Sequence, residues 1–337
     1  METNSLEPSL RGLEELRDKK NLLAFSAGSD STALFFLLLR QKIPFDIAIV
    51  DYQLRSQSKE EVAYAKELAK RYGKRIYLKT LSLAPSNIEQ EARKARYAFF
   101  KEIIDKEGYH NLITAHHLND LFEWFLMQLS KGAGLAELVG MEVVEKRDGF
   151  TLVRPLLLTP KEQILRFLKK ERIRYFYDES NEDLRFERNL FRHRFATEFL
   201  KYYAKGVARS FEYMLEDKSL LTLPIHSIQE LFIAIRPRSE YETKRLIDRM
   251  FKKAGYLLST EQKEEILRQK SGVIAGRIAF GMDESSIMIA PYVQRKMRKE
   301  EKELMRKRKI PPPLRGYILQ EGIDIAAIER YRDSGRV

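Results

Sequence analysis

Between residues 21 and 132 four short apolar runs alternate with four amphipathic ones. "NLLAFS" (21–26), "FDIAIVDYQ" (45–53), "RIYLKTL" (75–81) and "NLITAHH" (111–117) are short, apolar and read as strands. "STALFFLLLRQ" (31–41), "KEEVAYAKELAKRYG" (59–73), "NIEQEARKARYAFFKEIIDKEG" (87–108) and "LNDLFEWFLMQLSKG" (118–132) read as helices, the second ended by Gly73. Near-continuous apolar strands alternating with helices demand a parallel sheet covered on both faces, an α/β fold. Such sheets hold ligands beyond the carboxyl ends of their strands. The polar clusters 26–31, 51–55 and 116–120 each follow a strand immediately, so all three are expected at one edge.

From 159 to about 218 the chain reads as helical and basic, and beyond "LLTLPIHSI" its character changes. Helices are expected near 225–252 and 260–270, then a hairpin in "SGVIAGRIAFGMDESSIMIAPY", a basic helix over 295–309 and the stiff "IPPPLRGY". A boundary near 215–222 separates an α/β region with a basic helical extension, 1–215, from a smaller α+β region, 216–337. Charge speaks to the partner. The net +12, from 61 Lys+Arg against 49 Asp+Glu, favours a polyanion. It is concentrated: seven Arg/Lys against two acids over 185–209, and nine against three over 295–309. No cysteine is present, which excludes disulfides, thiolate zinc sites, iron–sulfur clusters and cysteine nucleophiles. No apolar run approaches the roughly 18–20 residues of a membrane span, and "METNSLEPSL" lacks the features of a secretion signal. A cytoplasmic location without a membrane partner is expected.

"LLAFSAGSDSTALFFLLL" (22–39) places Ser-Ala-Gly-Ser-Asp-Ser between a buried strand and a buried helix. A helix start offers unpaired amides and positive potential, which suits an anion. Gly28 lets a phosphate approach the backbone, Ser26, Ser29 and Ser31 can donate hydroxyls, and Asp30 can hold magnesium through oxygen. The plainer reading is that Asp30 or Ser31 caps the helix. No G-x-x-x-x-G-K-[ST] occurs, which excludes a kinase-type nucleotide loop, and "GAGLAELVG" (132–140) lacks the preceding strand of a dinucleotide loop. On the helix from 118, His116, Asp120, Glu123 and Met127 share one face, opposite an apolar face of Leu118, Leu121, Phe122, Phe125 and Leu129. Two carboxylates on a helix are usually a solvated surface; a start at the ligand edge favours a functional face. Phe186, Phe191, Phe195, Phe199, Tyr202 and Tyr203 have helical spacing and are expected mostly in the core, leaving room for one to stack on an unpaired base. His110 and His226 read as structural or solvated, and His193 as either RNA contact or solvated.

"SAGSDS" resembles the S-G-G-x-D-S pyrophosphate loop of the ATP pyrophosphatases, or PP-loop enzymes, with Ala27 in place of the second glycine. "VDYQLR" (50–55), "EARKARYAFF" (91–100), "TAHHLNDLFEWFLMQLSKGAGLAEL" (114–138), "RPLL" (154–157) and "DESNEDLRFERNLFR" (178–192) are similar to ordered motifs of one family among them, the tRNA(Ile)-lysidine synthetases. Tyr52 and Trp124 stand where that family usually has histidine and threonine. The resemblance implies ATP and Mg2+ as cofactors, with free L-lysine and an isoleucine tRNA with a CAU anticodon as substrates. The wobble cytidine would be adenylated at its C2 oxygen, and lysine would then displace AMP. It also places Ser26, Ala27, Gly28, Ser29, Asp30, Ser31, Arg96 and His116 on ATP, with Asp30 on the metal. Asp120, Glu123 and Arg188 fall on the lysine, and Asp30, Asp120 and Arg188 carry the chemistry. The C-terminal region would bind tRNA. Two alternatives are a related tRNA thiolase, which would need an external sulfur donor, and a silent tRNA-binding homologue; the oligomeric state is left open.

Overall fold

The computed structural model describes residues 8–52, 58–81, 88–147, 149–177, 187–221 and 223–334. The chain forms two compact units, divided between Leu220 and Leu221. The first contains β1 (Asn21–Ala24), α1 (Ser29–Arg40), β2 (Asp46–Asp51), α2 (Ser58–Arg71), β3 (Ile76–Thr80), α3 (Ile88–Glu107), β4 (Asn111–Ile113) and α4 (Leu118–Leu129). It continues through α5 (Leu135–Leu138), β5 (Val144–Arg147), β6 (Phe150–Val153), α6 (Lys161–Lys170), α7 (Glu187–Phe191), a π-helical turn (Arg192–Ala196) and α8 (Thr197–Leu221).

Six strands form one sheet in the order β3-β2-β1-β4-β6-β5, parallel except for the edge hairpin β5–β6. Strand periodicity sends alternate side chains to opposite faces. Leu23, Ile47, Ile49, Ile113 and Val153 pack with α1, α2 and α6, while Leu22, Ala48, Leu112 and Leu152 pack with α3. Both faces are therefore buried, as the apolar strands require. After β1 the chain moves outward to β2 and β3, then returns to the other side of β1 for β4. That reversal opens a crevice at the carboxyl ends of β1 and β4, where 26–31 and 114–120 emerge. The strand read at 111–117 ends at Ile113, because the apolar side chains end there and Thr114 to His117 turn out of the sheet.

The second unit departs from expectation at its start. No helix occupies 225–235: β7 (His226–Ile228) and β8 (Leu231–Ile235) form an antiparallel hairpin there. The helix α9 (Glu240–Lys253) begins only after Ser239, whose hydroxyl caps it. "LFIAI" alternates between two buried faces and so suits a strand covered on both sides. After α10 (Thr260–Gln269) come β9 (Ser271–Ile274), β10 (Ile278–Met282) and β11 (Ser286–Pro291), three strands where a two-stranded hairpin is expected, and then α11 (Lys299–Lys307). α12 (Arg315–Gln320) and α13 (Ile325–Ser334) complete the unit. The sheet order is β7-β8-β11-β10-β9. α9 and α10 cover one face, and α11 to α13 the other. Gly281 is required by close approach, since a Cβ there would meet Pro311 at 2.3 Å.

Candidate active site

The loop after β1 is held by its own hydroxyls. Ser26 and Ser31 Oγ lie 3.1 Å apart, the Ser26 amide donates to Ser31 Oγ at 3.2 Å, and Ser31 Oγ donates to the Gly28 carbonyl at 3.2 Å. Gly28 is the N-cap of α1, and neither Asp30 nor Ser31 caps the helix with its side chain. Gly28 has φ −71°, open to any residue; a side chain there would cost approach to the backbone rather than conformation. Ala27 has φ 59°, so the position does demand the left-handed angle its glycine-bearing relatives would favour. That angle costs alanine about 1–2 kcal/mol, partly offset by its fully buried methyl.

Two cavities meet at this edge. The smaller, about 250 Å³, is lined by Ser26, Gly28, Asp30 and Ser31, by Tyr52 and Arg96 from the neighbouring elements, and by His116 and Asp120. Val50, Tyr97 and Phe100 give it an apolar flank. The larger, about 750 Å³, is lined by Glu123, Lys161, Arg188, Arg192 and Lys201. Asp30, His116 and Asp120 line both and form the wall between them. Neither Ala27 nor Ser29 lines either cavity: Ala27 is buried beneath the loop, and Ser29 Oγ accepts from Lys161 Nζ at 2.8 Å. Arg55, Arg185, Phe186 and the "DESN" block lie outside the described residues.

The carboxylates are held by cations. Lys161 Nζ donates to Asp30 Oδ1 at 2.6 Å. His117 Nε2 lies 3.6 Å from Asp30 Oδ2 and 3.5 Å from Asp120 Oδ2, and the His117 amide donates to Asp120 at 2.9 Å. Arg188 bonds Asp120 through Nη2 and Glu123 through Nε, the latter at 3.0 Å. Arg192 grips Glu123 with Nε at 2.8 Å and Nη2 at 3.1 Å. A fork of this kind is directional and charge-assisted. Glu123 is fully buried and Leu129 is exposed, so α4 turns its carboxylate inward and part of its expected apolar face outward. The reason is the partner: two guanidinium groups from α7 and the π turn cover the acidic face, while Leu129 is the last residue of the helix.

Charge states follow. Burial by itself would raise the carboxyls of Asp30 and Asp120, but the surrounding cations hold both below the ordinary range, so they are anions at neutral pH. Burial also pushes His117 down, yet Asp120 and Asp30 outweigh it and raise the imidazole above its usual value. His116 goes the other way. Burial, reinforced by Arg154, Arg188 and Arg93, lowers it to about 4 against the pull of Asp120, so its ring is neutral at pH 7; its Nδ1 pairs with Thr114 Oγ1 at 2.9 Å. Between pH 6.5 and about 4 the unfolded chain takes up a proton at this position and the folded chain does not. Stability should fall across that window by about 3 kcal/mol. Asp30 and Asp120 have lowered folded values, so their contribution persists until more acid conditions. Urea unfolding of His116→Asn should therefore show a flatter profile over that window; parallel profiles would contradict the assignment.

Sequence reasoning missed Lys161, His117 and Arg192 as site residues. It also drew nothing from Trp124, whose Nε1 donates to the Glu137 carbonyl at 2.9 Å and whose indole lies over Gly140, clamping the turn after α4. Tyr52 sits beside Arg96 with its hydroxyl donating to the Ala92 carbonyl at 3.2 Å; burial raises its pKa, so it is a neutral donor. His110 is exposed and accepts from the Lys20 amide, and His226 stacks on Tyr331, so both are structural.

A hydroxyl-rich loop stands at the switch point of a parallel sheet, walled by carboxylates and cations, and the PP-loop domain family pattern matches residues 2–199, which makes this a PP-loop domain that uses ATP. The fold is shared with a U34-tRNA thiolase from Methanococcus maripaludis, with TM-score 0.50, 17% identity, and coverage of 59% of this chain and 72% of that one. Among curated proteins, the chain is 45% identical to a tRNA(Ile)-lysidine synthase from Wolinella succinogenes over 92% of its length and 96% of that protein's. It is 44% identical to one from Campylobacter jejuni (94% and 97%) and 41% identical to one from Helicobacter pylori (92% of each). The chain belongs to the tRNA(Ile)-lysidine synthase family, and is a ligase that forms a carbon–nitrogen bond. Among the described residues no helix is long and apolar enough to cross a membrane.

Proposed function

We propose that this chain joins free L-lysine to C2 of the wobble cytidine in a CAU-anticodon isoleucine tRNA, at the expense of ATP. The two cavities sharing the wall of Asp30, His116 and Asp120 carry the reading, because the chemistry needs a nucleotide and an acceptor to meet at one point. The apolar flank of Val50, Tyr97 and Phe100 suits the adenine, and the amides at the start of α1 suit the phosphates. In the first step the cytidine C2 oxygen attacks the α-phosphorus and pyrophosphate leaves. Arg96, in the smaller cavity, and Lys161, held on Ser29 and Asp30 at the loop, stabilise charge on the phosphate oxygens. In the second step the ε-amine of lysine attacks C2, and AMP departs with the former C2 oxygen.

Asp120, an anion held by His117 and Arg188, binds the incoming ammonium rather than deprotonating it. His116, lowered to about 4, is a poor acceptor for an ammonium proton, so its neutral ring serves as a hydrogen-bonding group of the wall. Substrate lysine replaces Arg188 at the carboxylates, which turns that guanidinium toward the lysine carboxylate or the AMP ester. Magnesium fits as an ion carried in by ATP. Among the described residues no group of three or more His, Cys, Asp and Glu stands ready for a metal, but such an ion needs only one or two carboxylates besides phosphate and water, and Asp30 provides one. Bound there, it would neutralise charge on the departing pyrophosphate.

The second unit contacts tRNA phosphates through its basic run, which includes the exposed Lys302 and Lys307 of α11. Charge reversal at both should raise KM for tRNA and flatten its salt dependence by about one counterion per lost contact; an unchanged slope would remove α11 from the interface. The activity itself is tested by incorporation of labelled lysine into a CAU isoleucine transcript, with AMP and pyrophosphate followed in parallel. ATP-dependent transfer with AMP formed is expected. Pyrophosphate release without lysine transfer would mean a different nucleophile on the same fold.

A further inference from the structure

Helix α8 and the π-helical turn before it carry an aromatic surface that lies largely outside the core, anchored where Phe199 meets the buried Phe122 at 5.3 Å. The buried stripe is Ala196 of the turn with Leu200 and Phe211 of α8, and Val207, Ala208 and Leu215 pack beside it to fill the core contact. Phe195, Phe199, Tyr202 and Tyr203 fall outside the stripe and are 52, 47, 70 and 59% exposed, contrary to the expectation that such rings face the core. Three of them form a ladder: Phe199 and Tyr203 have centroids 5.0 Å apart, and Tyr202 and Tyr203 6.3 Å, while Phe195 beside them pairs with Phe191 at 5.5 Å. Single exposed rings are ordinary, but a contiguous group marks a contact surface.

Two observations identify the occupant. From 194 to 209 the same segment carries Arg194, Lys201, Lys205 and Arg209 against Glu198, so phosphate is welcome and a second copy of this surface would bring like charges together. Thr197, Leu200 and Lys201 of this helix line the larger cavity, so the ladder stands beside a wall of the acceptor site. We propose that the α8 ladder is a stacking platform for unpaired RNA bases flanking the one held in the cavity, with the adjacent Lys and Arg side chains on their phosphates. The inference rests on RNA being the acceptor substrate. Aromatic rings accept any base face, so the platform orients the loop without reading its sequence.

The test is fluorescence anisotropy of a labelled anticodon stem-loop bearing CAU, with full-length protein. Tyr202→Ala/Tyr203→Ala should weaken binding about ten-fold or more, and KM for tRNA should rise by a similar factor. Tyr202→Trp/Tyr203→Trp should restore both, and a stem-loop with abasic sugars beside the reactive cytidine should bind wild type as weakly as the alanine variant binds the normal loop. Phe195→Ser gives a second, independent reading. An unchanged dissociation constant in both alanine and serine variants overturns the platform, as does loss of a dimer with RNA affinity intact, which would make the ladder a protein interface. Lysine transfer with ring-independent binding sinks the platform alone. Ring-dependent binding without lysine transfer sinks the reaction and leaves the platform standing.

Discussion

Asp30→Ala should abolish tRNA-dependent pyrophosphate release, with a loss of about 10³-fold or more, and lysine transfer should disappear with it. The carboxylate sits in the first turn of α1, in the wall shared by both cavities, and holds Lys161 Nζ at 2.6 Å and His117 Nε2 at 3.6 Å. Its removal does three things at once. On the proposed mechanism it would deprive a nucleotide-borne metal of a protein oxygen, and it releases Lys161 and leaves the His117 ring with only Asp120 as a carboxylate neighbour. The fold should survive at a cost of about 2 kcal/mol, the scale of hydrogen bonds to charged groups, because Asp30 is partly open to solvent. Thermal unfolding separates that cost from chemistry. Lys161→Met provides the companion experiment: it removes the cation but keeps the carboxylate, so KM for ATP should rise while some turnover remains. Pyrophosphate release by Asp30→Ala within ten-fold of wild type would show that the metal and phosphates are held elsewhere.

The sequence makes legible the polar breaks that follow the strands. Ser26, Tyr52 and His116 each follow an apolar strand, and a parallel sheet leaves such residues no other place than its carboxyl edge. The partners of those residues were not legible for a physical reason. Lys161 lies 131 positions from Asp30, and Arg192 lies 69 from Glu123, so no periodicity links them. Lys161 also begins a surface helix rich in other lysines. The widening of the helix at Arg192–Ala196 has no local signature either, although it shifts the phase between α7 and α8. Phase explains the aromatic surface too: helical spacing said that Phe195, Phe199 and Tyr203 share a side, but not that Ala196, Leu200 and Phe211 would win the core. The segment 226–235 reads as helix but folds as a hairpin, because "LFIAI" is apolar throughout, a pattern that serves a strand buried on both faces as well as a helix.

Glu123→Gln should separate the two half-reactions. The side chain is 1% exposed and accepts from Arg188 Nε and from both nitrogens of the Arg192 fork. Glutamine is neutral and can accept on one atom only, so both guanidiniums lose the Glu123 charge, but they stay partly open to solvent and Arg188 keeps Asp120, which limits the cost to about 1–3 kcal/mol. Pyrophosphate release should continue, because Glu123 does not line the nucleotide cavity, whereas lysine transfer should fall about 10²-fold or more as the amine loses its anionic seat. Adenylated tRNA, read with α-labelled ATP, should then accumulate. Arg192→Lys should give a milder version of the same split, because an ammonium cannot reproduce the two-nitrogen grip that holds the carboxylate in line. If Glu123→Gln lowers both steps equally, the carboxylate is a strut for α4 and α7 and the lysine amine is bound elsewhere. If only transfer falls, the guanidinium pair is the ligand-free form of the amine site, and lysine enters by exchanging places with Arg188 while Arg192 keeps Glu123 aimed at the shared wall.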